Sequence, residues 1–179
     1  GLSPPAISAA RGDGRAARQC YREAETLVLS GKSLLEQNAW RGARNRSAED
    51  YLQEGDFGRA AEEIRAWERE FPTEKIDGQV VFMYARYWAG REKYDQAIAM
   101  SNQLLNVNRD SPYADQMLML AAGCESKRGN AKAASATLHA LVHDYPGSPL
   151  VPQAKEGIKR VEAGQALESP TRRKRKKSL

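Results

Sequence analysis

Two alanine positions recur three times at one interval: Ala48, Ala85 and Ala122 stand 37 residues apart, and so do Ala60, Ala97 and Ala134. A unit of that length is one piece of supersecondary structure that cannot bury its apolar face alone, so a chain built this way has to stack. Other residues keep the same offset. It relates Phe57 to Tyr94, Pro72 to Pro146 through Arg109, and the pair Ser111-Pro112 to Ser148-Pro149. Each unit also carries one turn-like break, at Gln53-Glu54-Gly55-Asp56, Gly90-Arg91-Glu92-Lys93 and Arg128-Gly129-Asn130.

Between the breaks, apolar residues follow a helical period of 3.6 and not the alternation of strands. Phe57, Ala60, Ala61, Ile64 and Trp67 form one stripe, Tyr94, Ala97, Ile98, Leu104 and Leu105 a second, and Ala131, Ala134, Leu138, Leu141 and Val142 a third. The pattern predicts an all-α fold of helical hairpins. Ser111 and Ser148 are expected as N-caps with the following Pro at the first helical position, where a missing N–H costs nothing. Gly55, Gly90 and Gly129 are expected as left-handed C-caps. The recurring alanines then act as spacers, because a small side chain at a helix crossing lets two backbones approach to about 8–10 Å.

With these residues in view, the chain resembles a tetratricopeptide repeat array, whose unit pairs a small residue and an aromatic in its first helix with an alanine and a large apolar residue in its second. The first unit matches through Ala48, Tyr51, Ala60, Ile64 and Pro72, and the second through Ala85, Trp88 and Ala97, departing at Ser101 and Arg109. The third matches through Ala122, Ala134, Leu138 and Pro146, with Glu125 where an aromatic is usual. The resemblance implies a TPR-like α-solenoid that binds a protein partner along a concave groove. The family's ligand-facing positions carry over to Asn45 and Glu49, to Gln79, Phe82 and Arg86, and to Gln116, Met119 and Lys127. The alternative is that Phe82 and Met119 belong to the core and the polar members are solvated.

Asp144-Tyr145-Pro146-Gly147-Ser148-Pro149, followed by Val151, Ala154, Ile158 and Val161 at helical spacing, is also similar to the ends of bacterial envelope repeat proteins, the Tol–Pal coordinator and outer-membrane assembly lipoprotein types. That implies a periplasmic or envelope setting, with a cytoplasmic one as alternative. Any stacked array needs such a terminal helix to close its last apolar face.

The expected organisation is therefore a Pro-, Ala-, Ser- and Gly-rich disordered start at 1–13, a helical hairpin or degenerate repeat at 14–40, three repeats at 41–147, a capping helix at 148–165 and a disordered basic tail at 166–179. In the degenerate repeat, Ala16, Ala17, Cys20, Tyr21, Ala24, Leu27 and Val28 make the apolar stripe. No apolar run is long enough to span a membrane. Gly1 to Ala10 lacks the pattern of a secretory signal, and the absence of an initiator Met leaves room for a leader removed earlier.

Charge is unevenly distributed. Arg172, Arg173, Lys174, Arg175, Lys176 and Lys177 are six cations without an acid between them, and removing them from the chain's net +5 leaves −1. Attraction to an anionic polymer or lipid should thus reside in the tail. A localisation signal, phosphate contacts, a membrane-surface contact or simple solubility all suit such a run. With no aromatic among the cations, base stacking has no support.

Catalytic chemistry finds little footing. His139 and His143 sit four apart, a metal-compatible spacing on a helix, but Ala140 occupies the place where a metalloprotease pattern needs Glu. Glu62, Glu63, Glu68 and Glu70 alternate with Arg59, Arg65 and Arg69 as on a solvated, ion-paired helix face. Cys20 and Cys124 are isolated, and the single glycines form no phosphate loop. The expectation is an adaptor that is not an enzyme and uses neither cofactor nor metal.

Overall fold

The computed structural model describes residues 43, 46–71 and 77–167, and within them all regular structure is helical. Asn45, the expected hairpin at 14–40, Cys20 and the tail from Arg172 to Lys177 lie outside the described residues. Helix α1 (46–54) is followed by α2 (Phe57–Glu70), α3 (Gln79–Gly90), α4 (Tyr94–Val107), α5 (Ala114–Lys127), α6 (Ala131–Asp144) and α7 (Val151–Glu162). From α3 onward each helix packs on the next in sequence, α2 packs on α3, and α3 also meets α5. None is long and apolar enough to cross a membrane.

The hairpin turns obey the 37-residue interval closely. After α1, Gly55 takes φ +78 while the Asp56 N–H donates to the Tyr51 carbonyl and the Gly55 N–H to that of Leu52, the paired bonds of a Schellman stop. Gly129 (φ +77) does the same after α5, with Asn130 donating to Glu125 and Gly129 to Ser126. After α3 the left-handed residue is Glu92 (φ +60), and Gly90, expected there, is not left-handed. Helix length decides this: the stop falls where the interval puts it, and the Lys93-to-Trp88 and Glu92-to-Ala89 bonds hold a non-glycine residue in the strained region. Gly90 serves close approach instead. A Cβ there would stand 2.5 and 2.7 Å from the Cε1 and Cζ atoms of Phe57.

The second helix of each hairpin opens on the residue after that stop. Asp56 and Asn130 cap α2 and α6, their side chains accepting from the Arg59 N–H at 3.2 Å and the Ala133 N–H at 3.1 Å. Lys93, at the equivalent place, makes no such bond.

The serines behave differently from the N-cap expectation. Helices α5 and α7 begin at Ala114 and Val151, three residues past Ser111 and Ser148, with Tyr113 and Leu150 in the capping positions. Each Ser-Pro pair opens a tight turn first, closed by the Ala114 N–H on the Ser111 carbonyl and by the Val151 N–H on the Ser148 carbonyl. Within that turn the Ser111 and Ser148 hydroxyls accept from the Tyr113 and Leu150 N–H groups. Their own protons go to the preceding unit: Ser111 Oγ donates to the Asp77 carbonyl at 2.6 Å and Ser148 Oγ to Asp115 Oδ2 at 2.5 Å. These bonds tie the starts of α3, α5 and α7 into a row.

Three apolar clusters fill the structure, each with one pair of recurring alanines. Ala48 and Ala60 lie with Leu52, Ile64, Trp67 and Phe71 in the first. Ala85 and Ala97 lie with Leu104 and Met117 in the second, and Ala122 and Ala134 with Leu138, Leu141 and Val161 in the third. All six alanines are buried, as a spacer at a helix crossing must be. Helix α7 covers the last cluster with Ala154, Gly157 and Val161. Gly157 allows that approach, since a Cβ would sit 3.1 Å from Leu138 Cδ1 and 3.2 Å from Leu167 Cδ2. Beyond Gly164 the chain turns back, so that Leu167 packs on the cluster and its N–H donates to Ser126 Oγ at 3.2 Å.

Candidate functional site: a groove along the odd-numbered helices

Helices α1, α3, α5 and α7 contribute to one groove of about 290 Å³. Five residues expected to face a ligand line it together: Glu49 from α1, Phe82 and Arg86 from α3, and Gln116 and Met119 from α5. Gln79 is half-buried on the first turn of α3 and Lys127 is exposed at the end of α5; neither lines this groove.

Local structure explains the convergence. Glu49 and Arg86 hold the same place in successive units, as do Phe82 and Met119; the first pair meets directly, and both members of the second line the groove. Arg86 Nη1 donates to Glu49 Oε2 across the two units, with the Arg86 side chain only 14% exposed. The guanidinium lies over the Phe82 ring at 5.9 Å, and Phe82 stacks on Tyr113 at 5.9 Å and 29°. Charge pairing and ring stacking therefore hold this wall of the groove in place before anything binds. Phe82 and Met119 are each half-buried, attached to the core by one face and open to the groove by the other.

Three lining residues were not among those expected: Leu120, Leu150 and Gln153. Gln153 had a legible signal. Gln79, Gln116 and Gln153 follow one another at the repeat interval, which carries the register into a helix expected only to cap the array. Leu120 and Leu150 had none, because a core leucine and a leucine that also borders a hollow read alike.

Chemically the groove offers an apolar floor of Phe82, Met119, Leu120 and Leu150 beside two exposed amides, Gln116 and Gln153. Each amide presents one acceptor and two donors, the set that a peptide backbone matches. Glu49 and Arg86 neutralise one another. A second hollow of about 190 Å³ shares Met119 and Gln153 with the first and continues over Gly123, Gly157 and Arg160 to Leu167.

Reactive groups lie elsewhere. Burial pushes the Cys124 thiol up to about 12 and keeps it protonated at neutral pH. His139 and His143 are exposed, with His143 Nδ1 2.8 Å from Asp144 Oδ1 and His139 Nε2 3.8 Å from Glu162 Oε1. Among the described residues no group of three or more His, Cys, Asp or Glu side chains is arranged to hold a metal ion. No family model matches the chain, and a search of curated proteins finds none similar to it.

Proposed function

We propose that this chain is a non-catalytic scaffold of the tetratricopeptide type, a solenoid of stacked hairpins that holds a segment of a protein partner along α1, α3, α5 and α7. The observation that carries this reading is the convergence of Glu49, Phe82, Arg86, Gln116 and Met119, residues spread over 71 positions, on one groove. Its floor takes apolar side chains and its amides take backbone hydrogen bonds, which is how an extended or helical segment is gripped. Phe82 and Met119 suit this use because an aromatic and a flexible thioether give contact area at low ordering cost. The likeness of the Asp144–Pro149 turn and its succeeding helix to envelope repeat proteins supports work in a bacterial envelope assembly on the same reading.

Affinity capture from cells tests it. Partners retained by the wild type should be lost on Phe82→Ala combined with Arg86→Gln, and kept on Glu62→Ala, an exposed change on α2. Equal capture by the groove variant, with its fold verified by circular dichroism, would refute the groove as the binding face.

A further inference from the structure

The 37-residue interval that relates Glu49 to Arg86 runs on through α5 into α7, where the next two places in the series are Gly123 and Arg160. Between the first two units the series forms an ion pair, Arg86 Nη1 donating to Glu49 Oε2. Between α5 and α7 the basic member is kept and glycine stands in place of the acid. Gly123 and Arg160 both line the second hollow of about 190 Å³, which adjoins the first groove through the shared Met119 and Gln153. Arg160 is steadied there by the bond from its Nη2 to the Ala166 carbonyl at 3.3 Å, and the next residue, Leu167, is buried against Gly157 and bonded to Ser126. That bond uses one of the five guanidinium N–H groups. Among the described residues Arg160 has no carboxylate partner.

From this geometry we infer that the second hollow receives one Asp or Glu side chain of the bound partner segment, which takes the place a side chain on Gly123 would have and pairs with Arg160 as Glu49 pairs with Arg86. The inference rests on the proposed binding groove and adds to it the charge and position of one partner residue. Gly123 is buried and has no side chain of its own, so the space beside it falls to the ligand. The guanidinium is held before anything binds, so an arriving carboxylate meets donors already oriented for it and little ordering remains to be done. Charge selection cannot come from the first groove, where Glu49 and Arg86 neutralise one another. Glu156 also lines the second hollow, one turn before Arg160, and carries the opposite charge. It belongs to the register of Phe82 and Met119, not to that of Glu49, and among the described residues it makes no ion pair with Arg160. A carboxylate in contact with Arg160 is thus nearer to the cation than to Glu156, and attraction outweighs repulsion because it acts over the shorter distance.

A phage library of random peptides tests this directly, with each peptide joined to the coat protein through its C-terminus so that any carboxylate selected belongs to a side chain. It is panned against the full-length wild type and against full-length Arg160→Glu, an exposed change on α7 whose fold is verified by circular dichroism. The wild type should enrich peptides with an apolar anchor and one Asp or Glu at a constant spacing from it. Arg160→Glu should keep the anchor and select Lys or Arg at that same spacing. A selected acidic peptide should bind Arg160→Gln about three- to tenfold more weakly, and Glu156→Gln more tightly, since an opposing charge is removed. An anchor with no acidic position, or the same acidic preference in Arg160→Glu, would overturn the inference and leave the groove reading standing. Enrichment of Lys or Arg by the wild type would also overturn it, because the segment would then sit on Glu156. Peptides indifferent to Phe82→Ala combined with Gln116→Ala, or no enrichment at all, would instead remove the groove reading itself.

Discussion

Gly78 is the position where the stacking geometry makes its sharpest demand. It precedes α3 with φ +103, and an added Cβ would stand 2.3 Å from Ser111 Oγ and 3.1 Å from both methyl carbons of Leu104. The serine cannot retreat freely, because its hydroxyl donates to the Asp77 carbonyl at 2.6 Å and accepts from the Tyr113 N–H at 3.1 Å. Gly78→Ala should therefore incur about 1–2 kcal/mol of left-handed backbone strain and lose one or both serine bonds, at about 1 kcal/mol each. The stiffer unfolded chain returns about 0.4–1 kcal/mol. The expected net loss is about 2–3 kcal/mol, read as a lower urea midpoint at unchanged slope. A double-mutant cycle separates strain from clash. Ser111→Ala removes the obstructing oxygen, so adding Gly78→Ala to it should leave only the strain, and the two losses should sum to at least about 1 kcal/mol more than the double variant shows. A loss below about 1 kcal/mol for Gly78→Ala, or strict additivity, would refute this account of how α3 and α5 are joined.

Two further outcomes concern single residues. Glu92→Gly should raise stability by about 0.5–1 kcal/mol by relieving the left-handed strain, and Lys93→Asp should add about 1 kcal/mol by giving α4 the cap that Asp56 and Asn130 give α2 and α6; a drop in urea midpoint for either would show the turn to be misassigned. Burial raises the pKa of Glu125, against a smaller lowering by the bond from Thr137 Oγ1 at 2.6 Å. Folding thus favours the protonated acid, and its contribution is full below the ordinary carboxylate range of about 4 and lost as pH rises through the raised value. Glu125→Gln should accordingly be the more stable protein at neutral pH, with the gap closing toward pH 4; a gap independent of pH would exclude this carboxyl as its source.

The interval of 37 residues made much of this molecule legible. Helix type, the buried alanine pairs, the places of Gly55 and Gly129 and the convergence of Glu49 with Arg86 all stem from periodic small and apolar residues, because stacked units place equivalent positions side by side. The expectations that failed concern contacts between units, by hydrogen bond or by packing. Ser111 and Ser148 carry the local pattern of N-caps, yet acceptors one unit earlier claim their hydroxyl protons and the helices start three residues later. Gly90 looks like a helix stop, but Phe57, thirty-three residues before it, needs the space where its side chain would be.

Local periodicity by itself determined that this chain forms paired helices and where small residues separate them, since both depend on neighbours within a few turns. Only the tertiary structure decided that Leu120 and Leu150 join the groove and that Leu167 borders the second hollow beside it. A surface of this kind exists only once separate helices meet, and which face of a half-buried leucine or phenylalanine stays open depends on the helix packed against its other side.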